Sequence, residues 1–171
     1  MTLITISIIA ATAIYLVYNA VSLAIFGVPE SLSNTYYLYK EKWNKGWLFP
    51  LMMYAVVALM MPAWISLSEG SNFQFLSFLA PASIAFVGLA PKFKDADLEK
   101  LVHTLSAIVA AVASMVWVVL VTPYWAAIPV FSVIYLIKAC WTKTYRSGRI
   151  YWLEQIAFCS TFTAAILYSF C

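Results

Sequence analysis

Charged residues are scarce in this sequence. They make up only 10% of its 171 residues, whereas hydrophobic residues make up 64%. A soluble domain needs about 25% charged residues to cover its surface, so a water-soluble globular protein is excluded. A membrane-spanning helix needs about 20 mostly apolar residues, and every long uncharged tract of this chain reaches that length. These tracts cover residues 1–29, 46–68, 70–91 and 101–137. Residues 150–171 are also long enough and carry a single charged residue, Glu154.

Histidine is almost absent as well, since His103 is the only one. A single histidine excludes a zinc site built on several histidines, and no carboxylates are paired at metal-binding spacing within the apolar tracts. Serines are plentiful, but the chain has no serine-elbow motif and no phosphate-binding loop. We therefore predict no metal, no cofactor and no catalytic residue. No basic and aromatic pattern indicates nucleic-acid binding either.

The three cysteines, Cys140, Cys159 and Cys171, have no paired spacing. Inert apolar cysteines fit this distribution better than a disulfide or metal framework does.

The apolar tracts predict an all-α, polytopic membrane protein with a six-transmembrane-helix bundle in a single transmembrane domain. At about 1.5 Å per residue, the tract at residues 101–137 would form a rod of roughly 55 Å, so it must turn, and Pro123 marks the place. The first tract lacks a basic start and is too long for a signal peptide, so we expect a retained helix. The predicted helices cover about residues 3–27, 47–67, 73–89, 101–122, 124–141 and 150–170.

The segment between the first two apolar helices, residues 27–46, has its own helical pattern. Ser31 can cap its start and Gly46 can end it. The pattern predicts a short amphipathic interfacial helix between helices 1 and 2, with lysines available to anionic lipid headgroups. Its large side chains recur at helical spacing at Leu32, Tyr36, Tyr39 and Trp43.

All ten basic residues fall in or beside the first, third and fifth connections. The positive-inside rule then places these connections in the cytoplasm of a bacterial-type inner membrane and both termini outside. The basic residues are Lys40, Lys42, Lys45, Lys92, Lys94, Lys100, Lys138, Lys143, Arg146 and Arg149.

Three of the predicted helices carry a stripe of small or polar residues, which we expect to face the bundle interior. Asn19 belongs to the stripe on the first helix, His103 precedes the stripe on the fourth, and Glu154 begins the stripe on the sixth. These stripes predict an internal polar pocket near the cytoplasmic face. Small-residue faces could also support an oligomer.

Glu154 is the strongest candidate for a site residue, because an acidic group inside a membrane helix costs about 2.5 to 3.5 kcal/mol. Lys138 lies at a similar depth on the neighbouring helix and could form an ion pair with it, or extend to the headgroups. His103 could relay protons with a nearby carboxylate or serve only in packing. Glu30 and Asn19 complete the set of candidate ligand-binding or proton-relay residues.

These features favour a protein that binds or transports a small solute, proton or lipid. A non-catalytic accessory subunit would have a solid core, with its polar groups only joining helices. An intramembrane lipid-processing enzyme would need a lateral opening with a serine or tyrosine beside Glu30, His103 or Glu154. The candidate partners are therefore membrane lipids and a small ligand.

Reporter fusions test the topology. A fusion after Cys171 and a fusion within residues 142–148 should report opposite sides of the membrane, because the basic connections stay in the cytoplasm. A cytoplasmic signal from the Cys171 fusion would contradict the predicted orientation.

Overall fold

A computed structural model describes residues 2–89 and 96–171, and within these ranges the chain forms seven helices and no strands. The prediction of an all-α protein is confirmed. The helices are α1 (Leu3–Phe26), α2 (Asn34–Trp43), α3 (Leu48–Leu67), α4 (Leu76–Leu89), α5 (Ala96–Val121), α6 (Ala127–Trp141) and α7 (Arg149–Tyr168).

Four of these helices, α1, α3, α5 and α7, are long and apolar enough to cross a membrane. The other two apolar helices are shorter, with 14 residues in α4 and 15 in α6. At 1.5 Å per residue they measure about 21 to 23 Å, less than the roughly 30 Å of a hydrocarbon core. The chain is therefore a membrane-embedded protein, while six full spans stay a prediction.

Two helices begin later than the sequence pattern predicts, because local turns replace their first residues. Before α4, the Ser71 hydroxyl accepts a hydrogen bond from Phe73 N–H at 3.1 Å, so the chain reaches Leu76 through turns. Between α5 and α6, the Thr122 hydroxyl donates to the Val118 carbonyl at 2.8 Å and accepts from Tyr124 N–H at 3.2 Å. The turn at Pro123 thus extends to residue 126.

The helices form one bundle in which α3 packs between α1 and α4, α5 packs between α4 and α7, and α6 packs on α7. Large side chains such as Phe49, Met60 and Trp117 fill its centre. The outer surface is also apolar, since Val17 is 63% exposed and Leu153 is 63% exposed. Lipid, rather than water, is the solvent that suits such a surface.

Contacts group the connections at two ends of the bundle. At one end, the Thr5 hydroxyl donates to the Ser169 carbonyl at 3.5 Å, and the Tyr124 hydroxyl lies 2.9 Å from Cys171 Sγ. At the other end, here called the basic end, residues 27–47 lie beside residues 142–154. Which end faces the cytoplasm stays a prediction, and Lys92 and Lys94 of the third connection lie outside the described residues.

Helix α2 packs against the last turns of α1. The Tyr18 hydroxyl lies 2.6 Å from Thr35 Oγ1, and the Tyr39 hydroxyl lies 3.1 Å from Ser22 Oγ. In the turn ahead of α2, the Ser31 hydroxyl accepts a hydrogen bond from Asn34 N–H at 3.2 Å. The N-cap of α2 is Ser33 rather than the predicted Ser31, and Ser33 makes no side-chain capping bond. A helix at the predicted position is therefore present, and its place in a membrane interface stays a prediction.

Asn19 connects α1 to α7 in the bundle interior. Its Oδ1 accepts hydrogen bonds from the Tyr151 hydroxyl at 3.1 Å and from Gln155 Nε2 at 2.9 Å, while its Nδ2 donates to the Tyr15 carbonyl at 2.9 Å. All of its polar atoms thus have partners in the protein, as a buried amide requires. Asn19 is a helix-to-helix connector.

Replacing Asn19 by Leu should destabilise the bundle, because Tyr151 and Gln155 would lose their shared acceptor. Interhelical hydrogen bonds in membranes contribute about 0.6 to 1.7 kcal/mol each, so we expect a loss of about 1 to 3 kcal/mol in an unfolding titration in detergent. Ser132→Ala is the control, since this hydroxyl bonds only to its own helix at the Ile128 carbonyl. Equal stability of the two variants would contradict the connecting role of Asn19.

Candidate functional site

The first connection docks its backbone onto the start of α7. Leu32 N–H donates to Glu154 Oε2 at 2.6 Å, and Tyr151 N–H donates to the Glu30 carbonyl at 3.2 Å. Leu32 itself is buried at 1% exposure. The carboxylate of Glu154 therefore holds a loop from the other end of the sequence in place.

This docking depends on a close approach at Gly148. A Cβ atom on Gly148 would lie 2.7 Å from Val28 Cγ1 and 3.5 Å from the Pro29 carbonyl oxygen. The valine methyl group has little freedom to move, because its side chain is branched at Cβ. A residue without a side chain is needed here for the loop to reach α7.

Glu154 is partly buried, and it accepts the Leu32 N–H without a basic partner in the described part of the chain. Glu154 and Lys138 were expected to form an ion pair because they lie at a similar depth in neighbouring helices. This ion pair is not formed. Lys138 is exposed instead, and its ammonium lies 5.9 Å from the ring centre of Trp152. A cation over an aromatic ring at this distance is a favourable contact, so Lys138 is stabilised without Glu154.

Glu154 lines a groove between α5 and α7 at the basic end, here called the lateral groove. Its volume is about 440 Å³, which falls within the roughly 300 to 1,000 Å³ of ordinary ligand sites. The apolar side chains Ile108, Ile150 and Leu153 line it and are exposed on the outer surface of the bundle, so the groove opens to the side. The lining residues are Ser31, Ser33, His103, Thr104, Ala107, Ile108, Ala111, Ile150, Leu153 and Glu154.

A second space, here called the inner cavity, lies beside the lateral groove on the side of the bundle interior. It measures about 40 Å³, enough for water, which needs about 10 to 15 Å³ per molecule. Glu154, Ala107 and Ala111 line both spaces. Trp64 also lines the cavity, and its buried indole N–H has no acceptor among the described residues. Glu154 therefore lies between the membrane-facing groove and the bundle interior.

The structure places the predicted site residues in two groups. Glu154 and His103 line the lateral groove together. Asn19, Glu30 and Lys138 do not line it: Asn19 joins α1 to α7, Glu30 contributes its backbone carbonyl while its side chain is exposed, and Lys138 packs on Trp152. Only two of the five candidates thus share one space.

Sequence reasoning missed Thr104, Trp64 and Gln155. The interior position of Gln155 could have been predicted, because a polar side chain in a membrane helix is expected to have a hydrogen-bonding partner inside the bundle. Thr104 gave no signal, since a single threonine beside the predicted inward face belongs to no motif. Trp64 gave no signal, since tryptophan is common in this chain and its role depends on packing.

The described residues contain no group of three histidine, cysteine or acidic side chains that could hold a metal ion. The three cysteines are free thiols, and Cys159 Sγ lies 3.0 Å from the Tyr135 hydroxyl. Comparisons of the chain with protein-family models, with curated proteins and with solved structures found no match. Functional inference therefore depends on the geometry of the groove.

Replacing Gly148 by Ala should loosen the docked loop, because the new methyl group overlaps Val28. Overpacking of this kind costs about 1 to 3 kcal/mol, measurable as a lower unfolding midpoint in detergent. The double variant Val28→Ala with Gly148→Ala removes the overlap and should recover much of that loss. A Gly148→Ala protein as stable as the unmodified chain would show that the close approach does not constrain the loop.

Proposed function

We propose that this integral membrane protein binds an amphiphile with an ammonium headgroup in the lateral groove. The four long apolar helices support the membrane location. The ligand class depends on one observation above all: Glu154 presents a carboxylate to the groove, and no basic side chain pairs with it in the described part of the chain.

The hydrogen-bonding capacity of Glu154 supports a cationic group. A carboxylate offers about four acceptor positions, and Leu32 N–H uses one of them. An ammonium supplies up to three donors together with a positive charge. Such a headgroup offsets the cost of holding a carboxylate within a membrane helix, about 2.5 to 3.5 kcal/mol.

The rest of the groove supports an amphiphile rather than a free solute. Ile108 and Leu153 line its edge and are more than half exposed, at 55% and 63%, so a bound molecule can keep its chains in the membrane. Thr104 adds a hydroxyl to the same lining, which can bond to the phosphate of a zwitterionic headgroup. An aminophospholipid combines all of these features.

An enzyme that acts on lipids has less support. The Ser31 and Ser33 hydroxyls lie 2.9 Å apart, and Ser31 Oγ also accepts from Asn34 N–H. These bonds organise the start of α2, whereas nucleophile activation needs a base within hydrogen-bonding distance of the hydroxyl.

A structural role for Glu154 is the main competing function, and the hydrogen bond from Leu32 favours it. Glutamine separates the two functions, because its amide oxygen can still accept the Leu32 N–H while the negative charge is gone. Glu154→Gln should therefore retain most of the folded stability but lose the attraction for an ammonium group.

Binding of short-chain phosphatidylethanolamine to the detergent-solubilised protein tests the proposal. We expect Glu154→Gln to weaken this binding by about tenfold or more, the range of a charge-assisted hydrogen bond. The readout is the ligand-induced shift of the unfolding midpoint over a lipid titration. Phosphatidylglycerol with identical chains provides the comparison without an amine.

The matched control is Glu30→Gln, which removes an exposed carboxylate at the same end of the bundle and should leave the binding unchanged. Equal binding by the Glu154→Gln and unmodified proteins would reject the amine-binding function. Loss of folding in Glu154→Gln, with ligand affinity of the folded fraction retained, would instead support the purely structural role.

A further inference from the structure

A second groove runs between α1 and α3, and α2 covers its end. We call it the roofed groove. Its volume is about 810 Å³, at the upper part of the roughly 300 to 1,000 Å³ range of ligand sites. The lining consists of Ala13, Ile14, Val17, Tyr18, Val21, Ile25, Tyr39, Trp43, Lys45, Leu48, Leu51, Met52 and Ala55.

The dimensions of the roofed groove match one membrane leaflet. Along α1 it extends from Ala13 to Ile25, which at 1.5 Å per residue is about 18 Å. Half of a hydrocarbon core is about 15 Å. Its floor is apolar along this length, so the shape and chemistry fit an extended acyl chain that runs from the headgroup level to the centre of the membrane.

Polar and aromatic groups are confined to one end of the roofed groove. Trp43 is 46% exposed there, and aromatic residues of this kind favour the headgroup level. Lys45 lines the same end and is exposed. The Lys42 ammonium lies 5.2 Å from the Trp43 ring centre and 5.5 Å from that of Phe26. Two positive charges therefore lie where a lipid phosphate would be.

The backbone holds Lys45 at this end. Asn44 takes a left-handed conformation with φ of 56°, and Lys45 N–H donates to the Tyr39 carbonyl at 3.1 Å. The bond from Asn44 N–H to the Lys40 carbonyl, at 2.9 Å, is the single bond of an αL cap at the end of α2. The next residue, Gly46, packs so closely that a Cβ atom would lie 2.9 Å from the Tyr36 carbonyl oxygen.

We propose that the roofed groove binds an anionic phospholipid, with one acyl chain along α1 and α3 and the phosphate beside Lys42 and Lys45. The charges favour this occupant over a neutral lipid, since each lysine near the surface contributes attraction for an anionic headgroup. The site shares no lining residue with the lateral groove, and it requires the opposite headgroup charge.

Lipid retention in native mass spectrometry tests the proposal with phosphatidylglycerol and phosphatidylcholine of identical chains. We expect tighter binding of phosphatidylglycerol, and Lys45→Gln should weaken it by about fivefold. Val17→Trp should also weaken it, because Val17 lines the groove at 63% exposure and an indole would fill the chain site.

Two controls separate this site from the general membrane surface. Lys143→Gln removes an exposed lysine at the same end, and Val133→Trp adds the same bulk at a residue of α6 that is 55% exposed. Neither control should change the binding of phosphatidylglycerol. Equal effects of Lys45→Gln and Lys143→Gln, or of Val17→Trp and Val133→Trp, would overturn the proposal.

The two lipid sites can also be distinguished from each other. Glu154→Gln should leave phosphatidylglycerol binding intact, and Lys45→Gln should leave phosphatidylethanolamine binding intact. Loss of both lipids in either variant would mean one common site and would reject the roofed groove as a separate one.

Discussion

The hydrogen bond from Leu32 N–H to Glu154 connects the two ends of the sequence at the basic end of the bundle. At 2.6 Å it is a short, charge-assisted contact. Without it, the first connection would lose one of the two hydrogen bonds that dock it on α7. The position of residues 27–33, and with it one wall of the lateral groove, depends on this bond.

Most of the interior follows the same constraint, since polar groups in a membrane need partners inside the protein. Among the described residues, the buried Tyr15 hydroxyl and Trp64 indole N–H are the exceptions. Asn19 of α1 accepts hydrogen bonds from Tyr151 and Gln155 of α7. The Ser68 hydroxyl accepts hydrogen bonds from Trp117 Nε1 and from Ser77 Oγ, both at 2.7 Å. Several hydroxyls instead donate to the carbonyl four residues earlier in the chain, within a helix or just after its end. Examples are Thr12, Ser22, Ser114, Thr122, Ser132, Thr142 and Thr161.

The uncharged apolar tracts, the charged segments between them and the proline at position 123 were enough to predict where the helices lie. Each of the six predicted apolar segments overlaps a helix, and residues 27–46 contain α2. The helix α5 begins at Ala96, five residues before the predicted start of its segment. The inward faces of α1 and α7 were also predictable, because Asn19 and Glu154 stand out among apolar neighbours. Helix ends were less predictable: the turn after Pro123 continues for several residues, and it depends on local hydrogen bonds that leave no strong sequence pattern.

The partners of the site residues could not be predicted from the sequence. The sequence predicts that Lys138 and Glu154 lie at a similar depth in the membrane. Which side chains meet, however, depends on the rotation of the two helices about their axes. Glu154 bonds to a backbone N–H, and every residue except proline offers one, so the identity of Leu32 carried no signal. The amphipathic pattern around Trp43 identified α2, but the groove beneath it depends on the spacing of α1 and α3.

Residues 27–46 border both grooves, with close contacts at each end of the segment. Val28 lies against Gly148, and Gly46 lies against Tyr36, with no space for one more methyl group at either place. The hydrogen bonds of Leu32, Thr35 and Tyr39 fix the part between. A segment tied in this way has few partly open states, so its amide hydrogens belong to one cooperative unit for exchange with solvent.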